Sequence, residues 1–395
     1  MLAPKLRFKE FEDNWKELKL KDVSDRVTRK NINNETTLPL TISSLDGLVD
    51  QRIYFNKSIA SKDMSSYYLL IKGEFAYNKS YSAGFNYGSI KRLDNYDKGA
   101  LSTLYICFKL KKIINSDFIY KYFDSLKWNR EVYKVCTEGA RNHGLLNISP
   151  EDFFDIKLKL PDIREQEKIA LFLNLLDKKI ELQQRKIEVL KMYKKGLSDN
   201  IYASLKEKTI ELNNYAIVQG GFAFKSELFQ KKGKPIIRIS NIYNNLVNLN
   251  DLVYYNSNLA IDKKFYVNNS DLLIAMSGAT TGKYGIYHNT YTAYLNQRVG
   301  KIICKRDTIL YYPYLYFLFG LTAYEKQLQS RLVAGAQPNI SPTDIETMRF
   351  KFPNINNQKK IADIIINITK KISIENRKLD NLNILKQSLL QQMFI

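Results

Sequence analysis

The sequence predicts a mixed α+β chain built from two unlike α/β modules, each followed by one long helix. Three observations carry that prediction: a long internal duplication, a heptad seam inside each copy, and β-type runs confined to the segments before the copies. Residues 148–202 realign without a gap on residues 340–394, so that ISPEDFFDIKLKLPDIREQEKIA from Ile148 becomes ISPTDIETMRFKFPNINNQKKIA from Ile340. Such a duplication puts two similar structural units in one polypeptide and makes a pseudo-twofold relation between them available. The segments between the copies barely resemble each other. Like connectors with unlike modules suit a chain that holds two different surfaces in one geometry.

In chain order, β-type runs such as Tyr67 to Ile71, Leu104 to Phe108 and Val299 to Ile303 lie within residues 38–110 and 236–303, punctuated by Gly and Asn. Each module then enters a helical stretch, near 117–136 and 312–333, and closes in a glycine-led loop, GARNHGLLNISP from Gly139 and GAQPNISP from Gly335. Pro161 followed by Asp162 and Glu165 reads as a helix start in which Asp162 accepts from free backbone donors and Glu165 reaches back. Pro353 and Asn354 form the weaker equivalent. Ile169, Leu173, Leu176, Ile180, Ile187, Leu190, Leu197 and Ile201 then step by four and three, with Gln183 and Lys194 in the two missing places. The second copy runs Ile361, Ile365, Ile368, Ile372, Leu379, Leu382, Leu389 and Met393, with Glu375 and Lys386 in the gaps. A seam sustained that long predicts one helix per copy, each roughly 60 Å long, that shields its stripe by packing on the other. The alternative is two amphipathic helices lying on their own modules. The expected boundaries are 1–161 and 206–353 for the modules and 162–205 and 354–395 for the helices.

A formal charge of +21, from 61 Lys and Arg against 40 Asp and Glu, points to a polyanion as partner, the bland reading being that lysine merely solubilises. Cys107, Cys136 and Cys304 stand apart with no C-x-x-C pair, and His143 and His288 are isolated, so neither a disulfide framework nor a zinc site is expected. That usage fits a reducing cytoplasm. The N-terminal MLAPKLRFKEFEDNW carries charges where a secretory apolar stretch would lie, and the longest apolar runs are too short for a bilayer span.

Catalytic machinery is hard to find. SGATTGK from Ser277 to Lys283 approaches a phosphate-binding loop, but Ser277 stands where that loop needs Gly and Tyr284 where it needs Ser or Thr. There is no Rossmann glycine pattern, no Ser-His-Asp set, and no N-P-P-F or D-P-P-Y run to hold a flipped adenine. Binding chemistry is better supplied. In the first module the candidates are Lys79, Ser80 and Tyr81, then Arg92, then Arg141, Asn142 and His143. In the second they are Lys225, Arg238, Asn241, Ser277, Thr280, Lys283, Arg298, Gln337 and Asn339. Arg reads guanine, Asn and Gln read adenine, and Lys and Ser reach phosphate, so loops of these types can contact a duplex. For each one singly, a turn-former or a solvated polar group is the competing reading.

On these residues the chain resembles the specificity subunit of type I restriction-modification systems over essentially its whole length. The resemblance is carried by Pro4 to Phe8 with Phe11 and Trp15, the two Ile-Ser-Pro starts, and Leu160-Pro161 followed by REQEKIA. Phe352-Pro353 followed by QKKIA, GKPIIRISNI from Gly233, DLLI from Asp271 and the SGATTG tract complete it. The first module shows no clear counterpart of that tract. The family implies two target-recognition domains joined by two antiparallel helices, each domain reading half of an interrupted, asymmetric site in double-stranded DNA. It implies no catalysis and no cofactor in this chain. Two methyltransferase subunits would use S-adenosylmethionine to modify adenine N6, and two restriction subunits would use ATP and Mg. A cytoplasmic, nucleoid-associated place follows from the same resemblance. Two other readings remain open: a self-contained modification or restriction enzyme, and a coiled-coil scaffold without sequence preference.

Overall fold

The computed structural model describes residues 3–395 without 58, 59, 62, 137–140, 143, 144, 244, 257–259 and 333–337. The chain divides into two compact units, residues 1–184 with 377–395, and residues 185–376. Both cuts fall inside the long helices, Ile163–Ser204 and Ile355–Met393. The units therefore cut across the linear partition expected at 161, 205 and 353, because each combines one module with a part of both helices.

In unit 1 the strands are β1 (Lys16–Lys19), β2 (Ser24–Arg26), β3 (Leu40–Ser43), β4 (Gly47–Asp50), β5 (Tyr68–Ile71), β6 (Phe75–Asn78), β7 (Ser89–Arg92), β8 (Lys98–Leu101), β9 (Ile106–Leu110), β10 (Arg141–Asn142), β11 (Leu145–Leu146) and β12 (Lys157–Leu160). The central sheet has the order β2-β9-β6-β7, while β3 pairs with β4, β5 with β8, and β1 with β12. Period-two alternation divides its strands between two cores. Phe75, Tyr77, Ile106 and Phe108 face an aromatic core with Phe123, Trp128 and Phe153, whereas Ala76 and Cys107 face a second one with Leu40, Leu70 and Leu101. Burial on both faces explains the unbroken apolar runs in the sequence. The helical stretch near 117–136 is two helices, Ser116–Asp124 and Asn129–Val135.

Unit 2 holds β13 (Thr209–Glu211), β14 (Ala216–Gly220), β15 (Lys234–Ile237), β16 (Ile242–Tyr243), β17 (Asn245–Val247), β18 (Val253–Tyr255), β19 (Tyr266–Val267), β20 (Leu272–Ala275), β21 (Tyr284–Ile286), β22 (Ala293–Leu295), β23 (Val299–Cys304) and β24 (Arg349–Lys351). Its main sheet has the order β14-β23-β20-β21-β17-β16, and a second sheet runs β18-β15-β22-β19. The same division of faces recurs: Leu272 and Ile274 enter one core, Leu273 and Ala275 another. Its helical stretch is also double, Tyr314–Leu318 and Thr322–Arg331.

The two frames match strand for strand although their sequences do not. β2-β9-β6-β7 corresponds to β14-β23-β20-β21, and β5 beside β8 corresponds to β19 beside β22. Pro39, just before β3, bridges Ala100 in parallel, as β15 runs parallel to β22. Two differences stand out: the β10–β11 pair of module 1 has no strand counterpart among the described residues of module 2, and the link after β3 differs from the link after β15. Residues 44–46 join β3 to β4, whereas residues 238–252 join β15 to β18 and contain the extra strands β16 and β17.

Within each unit the long helices pack antiparallel. In unit 1, Ile169, Leu173, Leu176 and Ile180 share a core with Leu389, Leu390, Met393 and Phe394, and Leu379 and Leu382 pack partly buried against it. Asp177 pairs with Lys386 at 2.7 Å, while Leu6 donates to the carbonyl of Gln392 and the adjacent Arg7 binds Glu165. In unit 2, Ile361 and Ile365 share a core with Ile201 and Tyr202, and Lys186 pairs with Glu375 at 3.1 Å. Ile187 and Ile372 are buried there, and Leu190 and Ile368 are half-buried.

Helix initiation departs from the expected capping box in one respect. Asp162 Oδ1 accepts from the Arg164 and Glu165 amides, at 2.8 and 3.0 Å, as expected. The Glu165 carboxylate does not reach back. It takes a two-pronged ion pair from Arg7, at 2.8 and 2.7 Å, because a guanidinium fork neutralises a fully buried carboxylate better than one amide can. The duplicated glutamines do the unexpected work: Gln166 donates to the Pro161 carbonyl and accepts from the Asn115 amide, and Gln358 does the same with Pro353 and Tyr311. Each glutamine thus locks its helix start to its own module.

Candidate nucleic-acid interface

In module 2 the predicted residues converge because they sit at the ends of neighbouring strands. Arg238 follows β15, Ser277 follows β20, and Arg298 sits between β22 and β23. The SGATTG tract forms a short 3-10 turn, Gly278–Thr280, with Gly278 and Gly282 both at φ +77°. Only glycine adopts that region without strain, and a side chain on Gly282 would also strike Leu328. The turn is tied on two sides. Thr280 Oγ1 donates to the Ile239 carbonyl at 3.1 Å, and Thr281 Oγ1 donates to the Pro338 carbonyl at 2.7 Å. Ser277 bridges Asn339, and the Met276 amide donates to the Arg298 carbonyl at 2.9 Å. The tract is therefore a structural hub that brings residues 238–241, 277–283, 298 and 339 to one face.

The side chains on this face differ in what they offer. Lys283, Arg298 and Asn339 are exposed; Lys225 is exposed too, before the 3-10 turn Ser226–Leu228, but it is not among the residues the hub brings together. Arg238 is half-buried, with Nη2 donating to the Asp251 carbonyl at 3.1 Å and a buried Nε that has no partner among the described residues. The buried Ser277 hydroxyl likewise has none. Asn241 is fully engaged within its own link: Oδ1 accepts from the Arg238 amide, and Nδ2 donates to the carbonyls of Asn248 and Asp251. It shapes the loop, so the expectation that it contacts bases gives way to a positioning role. Arg238, Ser240, Asn241, Asn248, Asn250 and Asp251 line an open hollow of about 510 Å³, together with the apolar Leu252 and Val253. Gln337 lies outside the described residues.

Module 1 places its candidates less uniformly. The counterpart of the SGATTG tract, which sequence alone does not reveal, is the loop 79–88 between β6 and β7, since those strands correspond to β20 and β21. That loop holds Lys79, Ser80 and Tyr81. Tyr81 is exposed, Ser80 is half-buried, and Lys79 directs Nζ toward the Ile148 carbonyl at 3.5 Å. The loop is braced by the turn between β3 and β4, where Ser44 meets the hydroxyls of Ser82 and Ser89 at 2.8 and 3.1 Å. The hairpin of β10 and β11 joins it, with the Leu146 amide donating to the Lys79 carbonyl at 3.1 Å. Arg141 and Asn142 therefore belong to the same loop cluster by backbone position, and His143 lies outside the described residues. Arg92 is a different case. It donates to Asp94, Asp117 and Ser116 at 2.7, 2.7 and 2.9 Å and lies 5.2 Å from the Tyr120 ring centroid. Its charge is neutralised inside the module, so its role is packing.

Two whole-chain features complete the electrostatics. In unit 1 burial pushes the Asp177 carboxyl up, but the bonds and charges of Lys121 and Lys386 together outweigh it and hold the group below its ordinary pKa. In unit 2 the ammonium of Lys194 is pushed below its ordinary pKa by burial. No described helix is long and apolar enough to cross a membrane.

The comparisons agree with this architecture. Residues 12–192 and 207–383 each match the family described as the type I restriction modification DNA specificity domain. The specificity subunit of the type I restriction enzyme MjaVIII from Methanocaldococcus jannaschii is 25% identical over 319 residues, 74% of this chain and 73% of that protein. Among solved structures, the S subunit of a type I restriction-modification system from M. genitalium superposes with a TM-score of 0.56 at 14% identity, covering 100% of this chain and 99% of that one. A chain from a study of complex assembly and conformational transition in a type I system gives 0.59 at 14%, covering 98% of each. With its domain present twice and the same strand frame in both units, the chain belongs to the type I restriction-modification DNA specificity family and serves as a DNA specificity subunit, not a catalyst.

Proposed function

We propose that this subunit reads a two-part, asymmetric DNA site, with residues 1–161 reading one half and residues 206–353 the other. The observation that carries the reading is the repeated strand frame with unlike loops at the same place, 79–88 in one module and 276–283 in the other. One frame used twice gives equivalent approach to a duplex, while different loop residues give different bases. The +21 charge supplies the sequence-independent attraction.

The like helices carry the second half of the proposal. Gln166 and Gln358 make the same contacts at the two helix starts, and Asp162 and Asn354 cap them alike. Equivalent surfaces of this kind suit recruitment of two copies of one methyltransferase subunit, which would bind S-adenosylmethionine and modify adenine at N6. Restriction subunits using ATP and Mg would join the same assembly, in keeping with the multi-subunit system from which one structural neighbour comes.

The test is module exchange. Replacing residues 1–161 with the first module of a relative, in cells that supply the methyltransferase, is expected to change one half of the methylated motif and leave the other half intact. A change in both halves together, or in neither, would refute the two-reader mechanism.

A further inference from the structure

The link 238–252 is what module 2 has and module 1 lacks, and its two strands form the edge of the main sheet. On this ribbon Tyr243 and Leu246 stand directly opposite each other. Both are 54% exposed, an apolar cross-strand pair presented to solvent. The root of the ribbon is rigid. Ile242 and Val247 are buried, the Asn248 amide donates to the Asn241 carbonyl at 2.6 Å, and the Asn241 side chain donates back to Asn248. From the neighbouring SGATTG loop, Lys283 places Nζ 5.1 Å from the Tyr243 ring centroid.

We infer that β16–β17 is a groove-reading ribbon in which Tyr243 and Leu246 contact bases and Tyr243 positions Lys283 on a flanking phosphate. The inference deepens the two-reader proposal and rests on it. A major groove admits a two-stranded ribbon, and an outward apolar side chain there meets the thymine methyl, the one apolar group on a base edge. The ring face holds the ammonium without neutralising it, so its charge stays available to a phosphate. Stapling by Asn241 and Asn248 holds the root of the ribbon in place before binding, which lowers the ordering cost that a small contact surface has to meet.

The experiment uses the subunit assembled with its methyltransferase. The motif is first read by methylome sequencing, and binding is then measured to duplex oligonucleotides carrying that motif or single-base changes in the module 2 half. Tyr243→Ala and Leu246→Ala are each expected to lower the preference for the motif about tenfold at one or two positions of that half, and at none in the other half. Tyr243→Phe keeps the ring and is expected to behave as wild type. Tyr243→Ala combined with Lys283→Gln is expected to lose no more than the worse single variant, because the two act as one unit. Since both ribbon residues are exposed, melting should not change; if Tyr243→Ala does melt lower, Leu246→Ala decides. Full motif preference in both alanine variants overturns the inference, as does a loss that falls on methyltransferase binding with base preference intact. A wild-type assembly without any preference refutes the two-reader proposal itself, and the ribbon with it.

Discussion

Replacing Lys194 with methionine is expected to stabilise unit 2. The duplication matches Lys194 to Lys386 and Asp177 to Thr369. In unit 1 the lysine has its acid, with Lys386 2.7 Å from Asp177 and Lys121 on the same carboxylate. Unit 2 keeps the lysine and has lost the acid: Thr369 directs its hydroxyl to the Ile365 carbonyl, and no ion pair is recorded for Lys194 among the described residues. An ammonium half-withdrawn from water without a counter-charge opposes folding, and a methionine of similar length removes that opposition. A gain of about 1–2 kcal/mol at neutral pH follows from the cost of burying an uncompensated charge, discounted for its partial exposure. The pH dependence has a definite sign. Burial lowers the folded-state pKa below the ordinary 10.5, so the unfolded chain binds the proton more tightly and wild-type stability rises with pH between the lowered value and 10.5. The advantage of Lys194→Met should therefore shrink as pH rises through that window. Urea unfolding followed by hydrogen exchange of the 314–332 and 355–376 segments reports unit 2, while fluorescence of Trp15 and Trp128 reports unit 1. A neutral or destabilising Lys194→Met, or a gain that does not change with pH, would show that Lys194 carries no burial penalty.

Two further outcomes are expected. Arg7→Ala strands the fully buried carboxylate of Glu165 and should cost unit 1 about 3 kcal/mol, read as a lower urea midpoint of tryptophan fluorescence; the double variant with Glu165→Gln should recover part of it. Affinity for duplex DNA should fall steeply with salt, and Lys283→Gln should reduce the log-log slope by about 0.9, the share of one phosphate. A flat salt response would argue for a partner other than nucleic acid.

The duplication, the heptad seams and the order of modules and helices are legible in the amino-acid sequence because they depend on local periodicity. A seam recurring every three or four residues specifies a helix wherever the chain goes, and Ile169, Leu173, Ile361 and Ile365 are buried in the way that period requires. Resemblance carried by ordered motifs fixed the family. Side-chain partners followed other rules. Arg92 looks like a reading residue in the sequence, yet Asp94, Ser116 and Asp117 surround it; Glu165 looks like a capping residue, yet Arg7 claims it. Asn241 carries the chemistry that reads adenine and uses it on its own loop.

Tertiary structure alone decided which segments stand in the same place. Nothing in the residues of the loop 79–88 marks it as the counterpart of SGATTG, because the likeness lies in which strands hydrogen-bond, and backbone pairing is indifferent to most side chains. The ribbon at 238–252 is visible as an addition only once both frames are aligned strand by strand. The same holds for the units, each of which draws on segments far apart in the chain. Which elements exist, and what kind of molecule they build, can be read from the residues because both follow from local pattern and composition. Their partners were decided by long-range contacts, where geometry and buried charge choose among many residues of suitable type.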